Sequence, residues 1–198
     1  MKKYVIILLT LTSICQSQNK DFERVYVEAG LVQPLGILSE KFEPSPSFGF
    51  WFRSRWIKKD CIDFGFNFFI PRQTSPIQFK YRDYVVEYKS KHFAINLGAR
   101  FVKIMPLSLK NDRFNLEWNS GFGLALNSYQ APAEIEFASA EYSQELLTTF
   151  YLSQGIKINY DNIGLQCHYQ WSPYGLFNSQ MLDKYGSQTL MLGIVYRQ

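Results

Sequence analysis

One pattern dominates this chain: apolar side chains alternate with small or polar ones, residue by residue, from near one end to the other. A period of two belongs to β-strands whose faces meet different surroundings, whereas an amphipathic helix repeats every three to four residues. Ile62, Phe64, Phe66 and Phe68 alternate with Asp63, Gly65 and Asn67. Phe93, Ile95, Leu97, Ala99 and Phe101 alternate with Ala94, Asn96, Gly98 and Arg100. Phe114 to Leu126 keeps the same rhythm, with Ser120 as the one polar residue on its apolar side. Phe150 to Tyr160, Ile163 to Trp171 and Leu190 to Tyr196 follow it, and Val25 to Leu31 and Phe48 to Trp56 fit less strictly. The pattern predicts eight strands. It contains no helical stripe of useful length.

The connections alternate too. Residues 36–46, 71–91, 130–145 and 173–186 are long, and Met105 to Asp112 is of medium length. Lys58-Lys59-Asp60 and Asp161-Asn162 are short, the latter a hairpin turn. An even-stranded meander of this kind gathers its long connections at one end.

Composition decides which face points in. Aromatic residues make up 17% of the chain. Eight strands enclose a space only just wide enough for side chains to fill. Rows of Phe, Trp, Leu and Ile from every strand would overfill it, so the apolar face is expected outside, against lipid. A closed barrel also satisfies every backbone group in hydrocarbon. No run of residues approaches the ~20 apolar positions of a spanning helix, so a helical membrane bundle is excluded. Trp56, Phe69, Phe93, Tyr129, Tyr160, Trp171 and Tyr196 stand near strand ends, where amphipathic rings form girdles at the headgroups.

The start of the chain reads as an address. Lys2 and Lys3 precede a short apolar run, Tyr4 to Thr12, and then the small and polar residues 13–17. That is the order of a secretory signal peptide, with cleavage expected after Ser17 and a barrel domain over 18–198. Removing it takes two of the 21 basic residues and leaves 19 against 17 acidic ones. Nucleic-acid binding thereby loses its electrostatic support. Cys61 and Cys167 remain; by parity Cys61 faces inward and Cys167 faces lipid, so they cannot bridge.

The pattern resembles the small eight-stranded outer-membrane barrels of bacteria, the OmpA-like and OmpX-like transmembrane families. The tail Leu190 to Gln198, with alternating apolar residues and Tyr196 near its end, is similar to the assembly signal on their last strand. The resemblance implies an all-β fold: an eight-stranded antiparallel up-and-down transmembrane barrel with short periplasmic turns and longer extracellular loops. It implies location in the bacterial outer membrane. The partners it implies are outer-membrane lipids, the barrel assembly machinery, and extracellular or envelope proteins met through the loops.

The inward face carries Glu28, Arg53, Arg55, Asp63, Arg100, Glu117, Lys157, His168 and Arg197. Charges in a narrow barrel must be paired or hydrated. Glu28, Arg53, Asp63, Arg100 and Glu117 alternate in sign over the first five strands, and Lys157 adds a cation on the sixth. These residues are expected to form an ion-pair network closing the lumen, with Arg100 reaching Asp63 or Glu117 and Arg53 reaching Glu28 or Asp63. A selectivity constriction is the functional alternative.

No catalytic, cofactor-binding or metal-binding residue is assigned. A lipid-modifying barrel enzyme needs a nucleophile beside a base. His168 has Gln170 where a His-x-Ser pair would put the serine, and His92 has only Ser90 before it. The expected role is therefore non-enzymatic, structural or binding. The alternatives are a lipid-modifying enzyme and a secreted lipocalin-like barrel with its apolar face inward. Among the loops, residues 78–89 alternate enough to prolong the third and fourth strands as an exposed hairpin. Its Phe79, Tyr81, Tyr84 and Tyr88 are the candidate contact residues for strand addition by a partner.

Overall fold

The computed structural model describes residues 23–57, 60–81, 84–89, 91–107, 113–129, 145–174 and 187–198. Residues 1–22 lie outside this set, as do residues 130–144 and 175–186 of the two long connections. In chain order the elements are β1 (Glu23–Leu35), a one-turn helix α1 (Ile37–Lys41), β2 (Phe42–Glu43), β3 (Ser45–Ile57) and β4 (Asp60–Phe69). Then come β5 (Arg72–Gln73), β6 (Ile77–Tyr81), β7 (Tyr84–Tyr88) and β8 (His92–Pro106). The chain ends with β9 (Phe114–Tyr129), β10 (Glu145–Tyr160), β11 (Ile163–Trp171) and β12 (Gln188–Arg197).

β1, β3, β4 and β8 to β12 close into one barrel, each hydrogen-bonded to the next along the chain, with β12 returning to β1. Every pairing in the wall is antiparallel. The barrel is thus the eight-stranded up-and-down meander predicted from the alternation. The wall has no open edge, so no strand leaves backbone groups unpaired toward its surroundings.

The faces are distributed as the size argument requires. Phe122 is 66% exposed and Leu165 64%, while Asp63 and Glu117 are fully buried. Burying a Leu or Phe side chain is worth about 1.5–3 kcal/mol relative to water, and here such side chains ring the exterior. That inversion makes sense only where the outer solvent is apolar. Phe114 and Tyr160 lie 6.4 Å apart at the end of the barrel that carries the termini. Phe150 and Trp171 lie 5.5 Å apart toward the other end.

Two residues expected in the aromatic girdles belong to the interior. Tyr129 is 1% exposed and packs in the core, and Phe69 lines a cavity at the barrel mouth. Both have the inward parity of their strands, and at a strand end composition alone does not separate a girdle ring from a core ring.

The long connections fold back on the barrel. β2 pairs with β5, and β6 with β7. Residues 78–89 were expected to prolong the third and fourth barrel strands. Instead β6 and β7 form a separate ribbon, joined to the barrel end by an isolated bridge between Arg72 and Lys91. Pro71 and Pro76 interrupt the ladder, since proline donates no backbone hydrogen bond. The freed segment is stitched to α1 instead. Thr74 N–H donates to the Lys41 carbonyl at 2.8 Å, and Ser75 Oγ to the Glu40 carbonyl at 3.0 Å. Gly36, with φ 57°, makes the left-handed turn that sends the chain from β1 into α1.

Candidate functional site

The interior has two levels. Toward the termini it is ionic. Arg53 on β3 forks twice: Nε and Nη2 donate to the two oxygens of Asp63 at 2.6 and 2.9 Å, and Nη1 and Nη2 to the two oxygens of Glu117 at 2.8 and 2.9 Å. Arg197 Nη2 adds a third donor to Glu117 at 2.8 Å. Glu28 forms a second centre, where one carboxylate oxygen accepts from both Arg100 Nη1 and Lys157 Nζ at 2.7 Å. Bidentate, charge-assisted pairs of this type offset the desolvation of both partners far better than single contacts do.

The wiring departs from the expectation for Arg100. In the β4–β8 ladder Arg100 stands opposite Asp63, yet its partner is Glu28. Arg53 already occupies both oxygens of Asp63, so Arg100 turns into the lumen. Of the five ion-paired couples inside the barrel among the described residues, only Arg53 with Asp63 joins neighbouring strands; each of the others skips two strands and crosses the interior. A narrow barrel brings opposite walls within reach of an Arg or Lys side chain. Arg55, also expected inside, is exposed at the rim, where it pairs with Cys61 just before the bulge that precedes the last β3–β4 pair, Ile57 with Asp60.

Two inward aromatics complete this level, and the reading of the sequence did not single them out. The Arg100 guanidinium lies 3.5 Å from the ring centre of Trp51. Arg53 lies 4.4 Å from that of Tyr26. Both rings are almost fully buried and offer desolvated cations a cation–π face. Trp51 also donates from Nε1 to Asn67 Oδ1 at 3.1 Å. Higher up, the Tyr151 ring lies over Gly98 and Gly123, where a Cβ would collide with it. Glycine at these two positions makes room for a large ring from a neighbouring part of the wall. Parity was the available signal: Tyr26, Trp51 and Tyr151 alternate in step with Glu28, Arg53 and Ser153.

The second level, toward the long connections, is apolar. Leu38 of α1, Phe42 of β2 and Ile77 of β6 pack on Ala125, Tyr129, Leu147, Tyr151 and Tyr174. Phe42 meets His92 edge-on at 5.0 Å. Beneath this cap is a cavity of about 40 Å³, lined in part by Val32, Asn127 and Gln170. A water needs roughly 10–15 Å³ on this scale, so only a few fit.

The two histidines sit among amides. His92 Nε2 is 2.9 Å from Gln73 Oε1, and His168 Nε2 is 3.5 Å from Asn119 Nδ2. Among the described residues no group of three or more His, Cys, Asp or Glu is placed to hold a metal. Cys61 is buried and Cys167 half-buried, and both are free thiols. The backbone of the β6–β7 ribbon is described, whereas the side chains of Phe79, Tyr81, Tyr84 and Tyr88 lie outside the described set.

A closed eight-stranded antiparallel barrel, apolar outside and charged within, defines the class of small outer-membrane β-barrels. No protein-family model matches the chain, and no curated protein matches it. Among solved structures it is similar to Neisserial surface protein A, at 13% identity and a TM-score of 0.53, over 88% of this chain and 95% of that one. It is also similar to the N-terminal β-barrel domain of Pseudomonas aeruginosa OprF, at 11% identity and a TM-score of 0.50, over 88% and 97% of the two chains. At these identities the likeness is one of fold.

Proposed function

We propose that this protein is a non-enzymatic barrel of the bacterial outer membrane, exported through a signal peptide over residues 1–17, shut to ions along its axis, and working through its loops. The observation that carries this reading is the lumen itself. Glu28, Asp63 and Glu117 are each bound to at least one guanidinium or ammonium group, and the mouth above them is filled by Leu38 and Phe42. An interior so paired favours a plug over a pore. Amide neighbours around both histidines favour a packing role over that of a catalytic base.

In this reading the short turns and both termini face the periplasm. The β6–β7 ribbon then stands outside the cell, where Phe79, Tyr81, Tyr84 and Tyr88 offer strand addition to an envelope or extracellular protein. Lipids surround the wall, and the barrel assembly machinery inserts it.

The experiment is reconstitution into planar bilayers. The expected wild type inserts and passes little current; a large, steady conductance defeats the closed reading. Leu124→Arg on the outer face is expected to cost about 2–4 kcal/mol in a bilayer, while Asn119→Arg on the inner face of the same strand lacks that lipid dependence. Equal costs in bilayer and detergent point to a soluble barrel instead. An impermeant thiol reagent on intact cells is expected to label a cysteine placed within 78–89 and not one placed at Lys59; the reverse overturns the orientation.

A further inference from the structure

Among the described residues the lipid face carries a polar row in the middle of its wall. Gln154 on β10 stands opposite Ser120 on β9 and, on its other side, opposite Tyr169 on β11. All three share the outward parity of their strands. Gln154 is exposed, Tyr169 is 41% exposed and Ser120 half-buried. None of the three side chains has a hydrogen-bond partner among the described residues. Above and below the row the same strands are apolar, with Trp118 and Phe122 on β9 and Ile156 and Leu152 on β10, all exposed.

The row lies at the middle of its strands. Ser120, Gln154 and Tyr169 are each six residues from the strand ends Phe114, Tyr160 and Ile163, which share one rim. At ~3.3 Å per residue and a tilt of ~40°, six residues climb roughly 15 Å, half of the ~30 Å hydrocarbon core. Resting on the reading of the barrel as membrane-spanning, Gln154 therefore sits near the bilayer midplane, with Ser120 and Tyr169 about 3 Å in depth to either side of it, because paired residues on tilted strands are stepped along the axis. Acyl tails offer them no hydrogen bond, and polar groups at that depth are costly unless partnered.

We propose that this row is the centre of an interface with a second copy of the same chain, related by a two-fold axis along the membrane normal. Two copies inserted in one orientation keep every residue at its own depth under that operation. The axis through Gln154 sets Gln154 of one copy against Gln154 of the other. A carboxamide is both donor and acceptor, so two glutamines exchange a reciprocal pair of hydrogen bonds. Gln154 on the axis is thus complementary to itself in chemistry and in depth, as an isologous contact requires.

The test uses the full mature chain in phospholipid vesicles, with Cys61 and Cys167 replaced and donor or acceptor dyes at Asn162→Cys. Energy transfer is followed as the vesicles are diluted with lipid, and insertion is checked by resistance to alkaline extraction. The wild type is expected to dimerise. Gln154→Leu, a substitution the lipid face tolerates, is expected to insert equally well and to weaken dimerisation by tenfold or more, about the worth of one or two intramembrane hydrogen bonds. In the same background without Asn162→Cys, Gln154→Cys is expected to cross-link under mild oxidation and Ile194→Cys, on β12, is not. An inserted wild type that stays monomeric overturns the proposal, as does a Gln154→Leu barrel that pairs as tightly as the wild type. A chain that fails to insert overturns the membrane reading as well.

Discussion

The two levels of the lumen close the same space by opposite means. The lower level is built from the wall alone. Every charged member of it projects from a barrel strand, so the β-register fixes its height. The upper level is built from Ala125, Tyr129, Leu147 and Tyr151 of the wall and from Leu38, Phe42, Ile77 and Tyr174 of the connections. The lower level is strong but unforgiving, because removing one partner leaves a charge with nowhere to go. The upper level is cohesive but separable, because apolar groups leave no unsatisfied partner behind. A barrel that must hold its shape and still present its connections outside gains from keeping these properties on different elements.

The largest effect is expected from Arg53→Met. It strips Asp63 of both its hydrogen-bonded contacts and leaves Glu117 with Arg197 alone. A loss of about 3–5 kcal/mol in unfolding free energy is expected. Arg100→Met is expected to cost less, because Lys157 still neutralises Glu28. Arg53→Met with Asp63→Leu is expected to recover part of the loss, giving a coupling in a double-mutant cycle by denaturant unfolding in vesicles. Additive costs would mean that these charges are hydrated individually, and the contrast between the levels would disappear.

Phe42→Ala tests the other level. Phe42 is 4% exposed, and a Phe→Ala truncation in a core costs about 3–5 kcal/mol. Here the loss is expected to fall on the cap. Hydrogen exchange over residues 37–43 is expected to accelerate, while the unfolding midpoint of the barrel moves little, because a sub-structure with few wall contacts opens on its own. A global destabilisation as large as that of Arg53→Met would show that the cap and the wall form one cooperative unit.

The same division explains what was legible in the sequence. Strand number, faces and pairing order follow from parity, because in a closed wall every residue points in or out. The charges of the lower level were legible for that reason. Their partners were not, since ladder neighbours are one-dimensional information and four of the couples run across the lumen; Arg100 with Glu28 is the clearest case. Trp51 and Tyr26 carried the inward parity, but nothing in the alternation marks an inward ring as the partner of a buried cation. The cap was not legible at all. Leu38 and Phe42 lie in a connection with no period, and only their contacts across 35 or more residues of chain give them a place.

The smallest signal, and the one that compares the levels most directly, is ion conductance. Two barriers in series block a current unless both are breached. Arg100→Ala removes a guanidinium from the ionic level yet leaves Leu38 and Phe42 across the mouth; it is expected to raise single-barrel conductance slightly over the wild type. Phe42→Ala opens the mouth yet leaves Arg53 bound between Asp63 and Glu117 and Lys157 bound to Glu28, and is expected to change conductance even less. The double variant is expected to conduct more than the two single increments combined. If Arg100→Ala alone conducts as well as the double variant, the apolar level is no barrier. If Phe42→Ala alone does so, the ion pairs are the level that water and ions pass freely. Because eight strands leave no wide channel even when side chains are trimmed, the current of the double variant is expected to remain far below that of a 16-stranded porin.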